Sequence, residues 1–287
     1  MTAKIIDGVA ISKSIRQECK QKVQNLQAAW NITPCLTVIL VGEDPASKIY
    51  VRNKMKAAED VGVISRLHEF PSTIDPDTVL KLIDELNADP TVHGILVQLP
   101  LPSQFNIYSV LHRIHPSKDV DGFHLYNVGG LVVGERVYSP CTPYGVMKLL
   151  EHENIPVAGQ NVVIVGASNI VGKPMALMMM REEATVAICH AKTRDLAQFT
   201  ILADILIVAA GVPGLIVKQM VRNGAVVIDV GINRLPSGKI VGDVDFEAVR
   251  EKASHITPVP GGVGPMTVTM LIENTITAAS QKTETGS

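Results

Sequence analysis

The chain lacks closely spaced cysteines. Its four cysteines, Cys19, Cys35, Cys141 and Cys189, lie far apart, and no two of them form a Cys-x-x-Cys pair. Zinc knuckles, thioredoxin-like redox pairs and disulfide-stapled secreted domains depend on closely spaced or regularly patterned cysteines. The sequence therefore argues against all three classes, and we expect no bound metal ion.

Long apolar segments are also missing. The apolar stretch 205–217 is shorter than the roughly 20 residues that a membrane-spanning helix needs, and it contains Gly211, Pro213 and Gly214. Residues 1–7 lack the apolar core of a secretory signal peptide. We therefore expect a cytoplasmic protein that has no membrane partner.

Neither sign of charge dominates the sequence. There are 26 basic and 28 acidic residues, giving a net charge of −2, and the basic residues form no long runs. Such a surface has no strong field to attract nucleic acid or anionic lipid. The chain has 287 residues, of which 46% are hydrophobic, and it is long enough for one large or two modest domains. A globular enzyme or small-molecule-binding protein is the default expectation.

Strand-like and helix-like segments alternate along almost the whole chain, which is typical of parallel sheets with helices on both faces. The residues 125–141, rich in Gly and Val, show no clear periodicity, and we interpret them as a segment between two α/β domains. The predicted strands are 35–41, 63–70, 94–97, 162–165, 185–189, 205–209, 226–230 and 256–260. The predicted helices are 7–30, 44–61, 75–87, 106–114, 144–153, 174–182, 246–253 and 266–279.

A glycine turn follows the strand 162–165. This apolar, β-branched run ends at Gly166, and Gly172 opens a helix-like stretch. A strand, a glycine turn and a helix N-terminus together present backbone N–H groups to a pyrophosphate, so the turn predicts a dinucleotide site. Because the spacing is Gly-x-Ser-x-x-x-Gly rather than Gly-x-Gly-x-x-Gly, a purely structural turn remains the alternative.

The end of the next strand is basic. It reads Cys-His-Ala-Lys-Thr-Arg over residues 189–194, where a NAD site usually carries an acidic residue for the ribose 2′-hydroxyl. A basic segment suits a 2′-phosphate better, although it can also be a charged surface loop. Residues 231–233 end a later strand, and their backbone is placed to line the nicotinamide end of a cofactor.

Tyr50 and Lys54 lie four residues apart on one predicted helix and therefore share a face. Lys48, Arg52 and Lys56 are nearby, so an ordinary solvated face is one interpretation. The alternative is a lysine that lines a cleft beneath a tyrosine ring. Such a lysine serves as a general acid or base when burial or neighbouring charges depress its pKa.

Two further polar residues follow predicted elements of the first half. Gln98 ends the strand 94–97, at the carboxyl edge where α/β proteins bind ligands, or it is a loop residue that satisfies backbone groups. Asp121 precedes Gly122, and an Asp-Gly pair commonly forms a turn. Its functional alternative is a carboxylate that makes paired hydrogen bonds to the amidine-like edge of a heterocycle.

Eight motifs occur in an order that resembles one enzyme family over nearly the whole chain. They are Tyr-x-x-x-Lys (50–54), Val-Gln-Leu-Pro-Leu-Pro (97–102), Lys-Asp-Val-Asp-Gly-Phe-His (118–124), Pro-Cys-Thr-Pro (140–143), Gly-x-Ser-x-Ile-Val-Gly-x-Pro (166–174), Val-Ile-Asp-Val-Gly-Ile-Asn (227–233), Gly-Asp-Val-Asp-Phe (242–246) and Thr-Pro-Val-Pro-Gly-Gly-Val-Gly-Pro-Met-Thr (257–267). Together they resemble the bifunctional methylenetetrahydrofolate dehydrogenase/methenyltetrahydrofolate cyclohydrolase, or FolD, family. The last string is very specific for that family.

The resemblance implies two α/β domains with a cleft between them. Residues 1–139 would form an N-terminal folate-binding catalytic domain, on which the C-terminal helix 266–287 packs, and residues 140–265 a Rossmann-like NADP-binding domain. The implied reactions are oxidation of 5,10-methylenetetrahydrofolate to the methenyl form, followed by hydrolysis to 10-formyltetrahydrofolate. The resemblance further implies tetrahydrofolate derivatives as ligands, NADP rather than NAD as cofactor, and a homodimer.

The resemblance also implies residue roles. Lys54 would be the acid/base of the cyclohydrolase step, Gln98 would hydrogen-bond it, Tyr50 would stack on the substrate and Asp121 would bind the pterin. A cationic substrate beside the lysine favours the neutral form that a base requires. Further folate contacts are expected from Val97, Leu99, Pro260, Gly261 and Gly262. Cofactor contacts are expected from Gly166, Ala167, Ser168, Gly172, His190, Ala191, Lys192 and Ile232.

Two positions depart from the family pattern. The family usually has Arg at position 167 and Ser at position 191, where this chain has Ala167 and Ala191. Both usual residues hold the 2′-phosphate, so their loss weakens the case for a strong NADP preference, although Lys192 or Arg194 can substitute as a point charge. A cyclohydrolase without useful dehydrogenase activity is therefore one alternative, and a non-catalytic folate or nucleotide sensor is another.

Overall fold

The computed structural model describes residues 2–135 and 138–284, with side chains up to residue 281. The last three residues of the predicted helix 266–287 and two residues of the segment 125–141 lie outside the described residues. The chain divides into two compact units. The six-stranded unit comprises Met1–Lys13 and Thr142–Thr267, and the three-stranded unit comprises Ser14–Cys141 and Val268–Ser287.

Strands and helices alternate as the sequence predicts. The strands are β1 (Lys4–Ile5), β2 (Cys35–Val41), β3 (Ile64–Phe70), β4 (Gly94–Val97), β5 (Asn161–Val165), β6 (Thr185–Cys189), β7 (Ile205–Val208), β8 (Val226–Asp229), β9 (Asn233–Arg234), β10 (Ile240–Val241) and β11 (His255–Ile256). The α-helices are α1 (Gly8–Trp30), α2 (Pro45–Asp60), α3 (Pro76–Ala88), α4 (Ile107–Arg113), α5 (Leu125–Val133), α6 (Cys141–His152), α7 (Gly172–Arg181), α8 (Ala197–Thr200), α9 (Phe246–Val249) and α10 (Val263–Glu284).

The three-stranded unit is built around β2, which pairs in parallel with β3 on one side and β4 on the other. All seven residues of β2 are buried, as expected for a central parallel strand that is covered on both faces. Helix α2 then begins where the sequence predicts, because the Asp44 carboxylate accepts the Ser47 N–H at 2.8 Å and Pro45 occupies the first turn. The carboxyl ends of β2 and β4 consequently lie at one edge, beside the start of α2.

The six-stranded unit is a parallel sheet with the order β1-β11-β8-β7-β5-β6. Strands β7 and β8 are buried along their whole length. β6 lies on one side of β5 and β7 on the other, so the carboxyl end of β5 is the switch point where doubly wound sheets bind ligands. The prediction of two α/β domains, the second of them Rossmann-like, is confirmed.

The N-terminal residues lie in the six-stranded unit, whereas the sequence predicts them in the first domain. The expected N-terminal domain was 1–139, whereas Met1–Lys13 belongs to the six-stranded unit. The physical reason is that β1 extends the sheet by pairing with β11, with Lys4 opposite His255. A strand of two residues is too short to show a hydrophobic period, so the sequence pattern gave no indication of it.

Other elements also differ from the prediction, among them α5, β11 and α9, and α8, β9 and β10 were not predicted. Residues 125–133, interpreted as an aperiodic segment, form α5, which starts where the His124 ring nitrogen accepts the Tyr126 N–H at 3.0 Å and ends at Gly134 with φ +84°. The predicted strand 256–260 stops at Ile256, since two of the next four residues are prolines that cannot donate to a ladder. Helix α9 ends at Val249 rather than near residue 253. Among the described helices, none combines the length and the apolar character needed to cross a bilayer.

Candidate functional site

Lys54 and Gln98 form the centre of a polar cluster in the three-stranded unit. Helix α2 carries Lys54, and its Nζ donates to Gln98 Oε1 at 3.0 Å. Gln98 follows β4 directly, and its own N–H donates to the Ile39 carbonyl at 2.9 Å, which extends the pairing with β2. Its Nε2 donates to the Leu99 carbonyl at 2.7 Å. Because the amide nitrogen has this acceptor, the amide oxygen is the atom directed at the lysine.

The predicted folate contacts around this pair differ in exposure. Tyr50, one helical turn before Lys54, is 38% exposed, so its ring is open to a ligand. Val97 is 3% exposed and packs in the core that includes Ile39 and Ile95, which leaves only its backbone for a ligand contact. Leu99 lies between Gln98 and a cis proline, in the loop that leaves the sheet edge.

The Asp121 carboxylate belongs to the same cluster. Burial raises its pKa above the usual aspartate value, the nearby Lys54 ammonium opposes this rise, and the neighbouring Asp119 carboxylate adds to it. A hydrogen bond with the Cys141 thiol also lowers this pKa. Lys54 and Asp121 therefore lie close enough for their charges to interact. The structure brings together three of the residues predicted for the folate site: Lys54, Gln98 and Asp121.

The backbone around Asp121 is held by buried side chains that the sequence reasoning missed. Asn274 of α10 donates from Nδ2 to the Val120 carbonyl at 2.8 Å and to the Ser139 carbonyl at 3.1 Å. The Asp119 carboxylate, 1% exposed, accepts the His124 N–H at 2.7 Å. Asp119 precedes the apolar Val120, so a polar residue beside a buried one was the available signal there. Asn274 lies between Glu273 and Thr275, and the sequence carried no such signal for it.

The turn after β5 requires its two glycines. Gly166 has φ +122°, and a Cβ there would lie 2.1 Å from the Ala209 carbonyl oxygen. A Cβ on Gly172 would lie 1.9 Å from the Gly166 carbonyl oxygen. Ser168 closes the turn, because its Oγ accepts the N–H groups of Val171 at 3.1 Å and Gly172 at 3.4 Å. The chain thus passes tightly from β5 into the N-terminus of α7, a suitable place for a phosphate.

The basic segment forms a closed turn directly after β6. The His190 ring nitrogen Nδ1 accepts the Lys192 N–H at 3.1 Å, and the His190 N–H donates to Thr193 Oγ1 at 3.0 Å. Ala191, Lys192 and Arg194 are all exposed on this turn. β6 pairs with β5, so the basic turn and the Gly166 turn lie at the same edge of the sheet.

The remaining predicted residues also lie in the six-stranded unit. Ile232 follows β8 and is 48% exposed. Pro260, Gly261 and Gly262 lie between β11 and α10, and Gly261 has φ +107°. The Gly261 carbonyl accepts the Val9 N–H at 3.2 Å. These three residues therefore belong to a different compact unit from Lys54. In the part of the chain that the structure describes, no group of three His, Cys, Asp or Glu side chains is arranged to hold a metal ion.

Two family models match the chain, one to each part. The model described as "Tetrahydrofolate dehydrogenase/cyclohydrolase, catalytic domain" matches residues 6–121. The model described as "Tetrahydrofolate dehydrogenase/cyclohydrolase, NAD(P)-binding domain" matches residues 140–283.

Full-length relatives are similar in both sequence and structure. The "Bifunctional protein FolD" of Nitrosospira multiformis is 58% identical over 281 residues, covering 98% of this chain and 97% of the relative. The crystal structure of the bifunctional enzyme FolD from Campylobacter jejuni is 53% identical with a TM-score of 0.96, covering 98% of this chain and 99% of that one. The Trypanosoma brucei FolD structure, complexed with NADP and an inhibitor, is 37% identical with a TM-score of 0.95, covering 99% of both chains.

Proposed function

This chain belongs to the tetrahydrofolate dehydrogenase/cyclohydrolase family, and from that premise we propose that it carries out two consecutive reactions on one folate. A hydride passes from the methylene carbon of 5,10-methylenetetrahydrofolate to NADP, which leaves the cationic methenyl form. Water then opens the methenyl ring to give 10-formyltetrahydrofolate. The observation that carries the proposal is the Lys54–Gln98 hydrogen bond beside the Asp121 carboxylate, in a chain that also has a dinucleotide turn at Gly166.

Lys54 is proposed as the proton carrier of the hydrolytic step. Water adds to the methenyl carbon, the bond from that carbon to N5 breaks, and one proton is released overall. Lys54 Nζ accepts a proton from the attacking water and delivers one to N5 as it departs. The Gln98 amide oxygen, 3.0 Å from Nζ, fixes where the lysine nitrogen sits and accepts one of its hydrogens. Tyr50 is proposed to stack on the folate, and Asp121 to hydrogen-bond the pterin edge.

The residues of the six-stranded unit fit a dinucleotide. Backbone oxygens occupy the space that a Cβ atom would need at Gly166 and Gly172. Only glycine therefore allows this tight turn, which brings the backbone close to a pyrophosphate at the start of α7. Lys192 and Arg194 are proposed to supply positive charge for a 2′-phosphate. Ala167 and Ala191 contribute no side-chain donor, and we therefore propose a preference for NADP over NAD that is smaller than in relatives with Arg and Ser there. The remaining proposed contacts are Ser168, His190 and Ile232.

The domain roles and substrate contacts are part of the same proposal. Residues 1–139 with the helix 266–287, apart from Met1–Lys13, which lies in the six-stranded unit, are proposed to supply folate binding and the acid/base, and residues 140–265 to bind the cofactor. The descriptions of the two family models support this division. Val97, through its backbone, and Leu99 are proposed to contact the folate. The loop Pro260, Gly261 and Gly262 is proposed as a further substrate contact.

We also propose a homodimer in the cytoplasm. β6 is an edge strand whose Ile188 is 41% exposed, and an open apolar edge is a template for pairing with a second chain. The four cysteines are free and buried, which suits a reducing compartment. Analytical ultracentrifugation tests the proposed homodimer. A protein that sediments as a monomer at micromolar concentration contradicts it.

A pair of assays on one protein preparation tests the function. Dehydrogenase activity is measured with NADP and NAD side by side, and cyclohydrolase activity as loss of methenyltetrahydrofolate absorbance without cofactor. Both activities, with NADP the better acceptor, are expected. Hydrolysis without oxidation supports a cyclohydrolase that has lost the first step, and absence of both reactions supports a sensor, so either result refutes the proposal.

A further inference from the structure

Two buried carboxylates, neither of which has been given a role above, lie at the carboxyl edge of the six-stranded sheet. Asp229 ends β8 and is 3% exposed. Its carboxylate accepts three backbone N–H groups, from Gly231 at 3.0 Å, Asp243 at 3.0 Å and Val244 at 2.9 Å. Asp229 therefore joins the end of β8 to the segment 242–244, which lies thirteen or more residues further along the chain.

Asp243 continues the network to a second loop and is fully buried. Its Oδ2 accepts the N–H groups of Ala210 at 2.7 Å and Gly211 at 2.8 Å, both in the loop after β7. Its Oδ1 accepts from Asn233 Nδ2 at 2.8 Å, in the segment after β8. One carboxylate thus bridges the loops that follow two neighbouring strands.

The surrounding backbone is shaped for these two side chains. A Cβ on Gly242 would lie 1.9 Å from Asp229 Oδ2, and a Cβ on Gly231 would lie 2.3 Å from Asp243 Cγ. Neither glycine can be replaced without moving a carboxylate, because the carboxylate oxygens occupy the space that a side chain needs. The glycines and the aspartates therefore form one packed arrangement.

Burying these two carboxylates side by side costs free energy, so an arrangement that serves no function is an unsatisfactory explanation. Burial raises the pKa of Asp229 to about 6, the backbone N–H groups of Asp243 and Val244 oppose the rise, and the Asp243 carboxylate adds to it. A carboxylate, however, accepts up to about four hydrogen bonds, more than an amide or hydroxyl oxygen accepts. A carboxylate is thus the side chain best suited to collect several N–H groups from separate loops.

We propose that Asp243, supported by Asp229, is a positioning residue for the dehydrogenase reaction. It holds the loops after β7 and β8 in the shape that receives the nicotinamide end of the cofactor. β7 lies next to β5 and β8 lies next to β7, so both loops leave the sheet at the same edge as the Gly166 turn, the proposed pyrophosphate site, where doubly wound sheets bind their ligands. The inference rests on the proposed function, since it names residues that act through the cofactor site.

The two activities of the chain provide the test. The Asp243→Asn variant replaces one carboxylate oxygen by an NH₂ group. This new donor faces other donors, either the backbone N–H groups of Ala210 and Gly211 or the Asn233 amide nitrogen. We expect KM for NADP to rise about tenfold or more, the scale of losing a charged hydrogen-bond acceptor, while kcat/KM of the cofactor-free cyclohydrolase assay stays within about twofold of wild type. Asp245→Asn is the matched control, because it removes an exposed carboxylate two residues away and leaves both loops untouched.

A rescue variant separates positioning from general damage. In Asp243→Asn/Asn233→Asp the carboxylate and the amide exchange places, so the bridge between 233 and 243 is restored, and KM for NADP is expected to recover to within about threefold of wild type. If Asp243→Asn does not fold, Asn233→Ala, which removes a single hydrogen bond of Asp243, carries the test with a smaller rise. An unchanged KM for NADP in the folded variant, or a parallel loss of both activities without rescue, overturns the inference. Failure of the wild-type enzyme to reduce NADP refutes the proposed function instead.

Discussion

The pH dependence of stability offers a quantitative test of the buried carboxylate at the end of β8. Asp229 has its pKa raised from 3.8 to about 6, mainly by burial. A shift of one pKa unit corresponds to about 1.36 kcal/mol. The rise therefore means that folding favours the protonated form over the ionised form by about 3 kcal/mol of free energy. The folded state binds the proton more tightly than the unfolded state does. The contribution of Asp229 to the free energy of unfolding therefore falls as pH rises from about 4 to about 6, and it is constant on either side.

The perturbation is Asp229→Asn, which removes the titration but keeps the size of the side chain. Other groups titrate in both proteins, so they cancel in the difference between wild type and variant. We expect the unfolding free energy of wild type, minus that of the variant, to fall by about 2–3 kcal/mol between pH 4 and pH 6.5. Only the change of this difference with pH is predicted, because the hydrogen bonds lost to Gly231 and Val244 shift the difference itself at every pH.

The assay is urea denaturation of both proteins at closely spaced pH values, followed by circular dichroism. Asp245→Asn serves as the control for removing a carboxylate from the same region, since the Asp245 side chain is exposed. A flat difference for Asp229→Asn, or one that rises with pH, would show that the folded protein does not hold this proton more tightly and would refute the reasoning.

Three further predictions concern the proposed catalytic and binding residues. Lys54→Met should lower the cyclohydrolase rate by about 10²–10⁴ with an unchanged melting temperature; loss of methenyltetrahydrofolate absorbance measures it, and a rate within about threefold of wild type argues against the lysine as acid/base. Asp121→Ala should weaken folate binding by about 1.5–3 kcal/mol and NADP binding far less; calorimetric titration with both ligands decides, and equal losses would indicate misfolding. Ala167→Arg should tighten NADP binding by about 1–3 kcal/mol and leave NAD binding nearly unchanged; an equal fall in Kd for both cofactors would mean that residue 167 does not face the 2′-phosphate.

The parts of the fold with a strong local pattern were predictable from the sequence. The buried β2 and the capped start of α2 have the composition of a parallel strand and the Asp-Pro signal of a helix. The sequence placed Lys54 on the helix after β2 and Gln98 at the carboxyl end of β4, and the structure shows that β4 pairs with β2, so the two residues meet at one edge. Their hydrogen bond at 3.0 Å follows from that topology.

Features that depend on distant partners were not predictable in this way. Asp229 and Asp243 are 14 residues apart, and Asn274 contacts carbonyls more than 130 residues away. Asp229 follows an apolar run, whereas Asp243 lies between Gly242 and Val244, and Asn274 lies between Glu273 and Thr275. Nothing in these local sequences specifies which backbone groups the side chains will satisfy. β1 was missed for the same reason, because its two residues become a strand only through pairing with β11.

The division of the chain has a consequence for biosynthesis. The boundary between the units falls within α1, after Lys13, and again within α10, after Thr267, so each unit is assembled from two separated pieces of chain. Lys4 leaves the ribosome 251 residues before its sheet partner His255. Domains generally fold as units during synthesis, but here the six-stranded sheet stays incomplete until β11 emerges, and the three-stranded unit stays incomplete until the part of α10 after Thr267 emerges. A nascent chain that stalls before residue 268 therefore lacks a piece of the three-stranded unit, which cannot finish folding, and such chains are natural substrates for quality control.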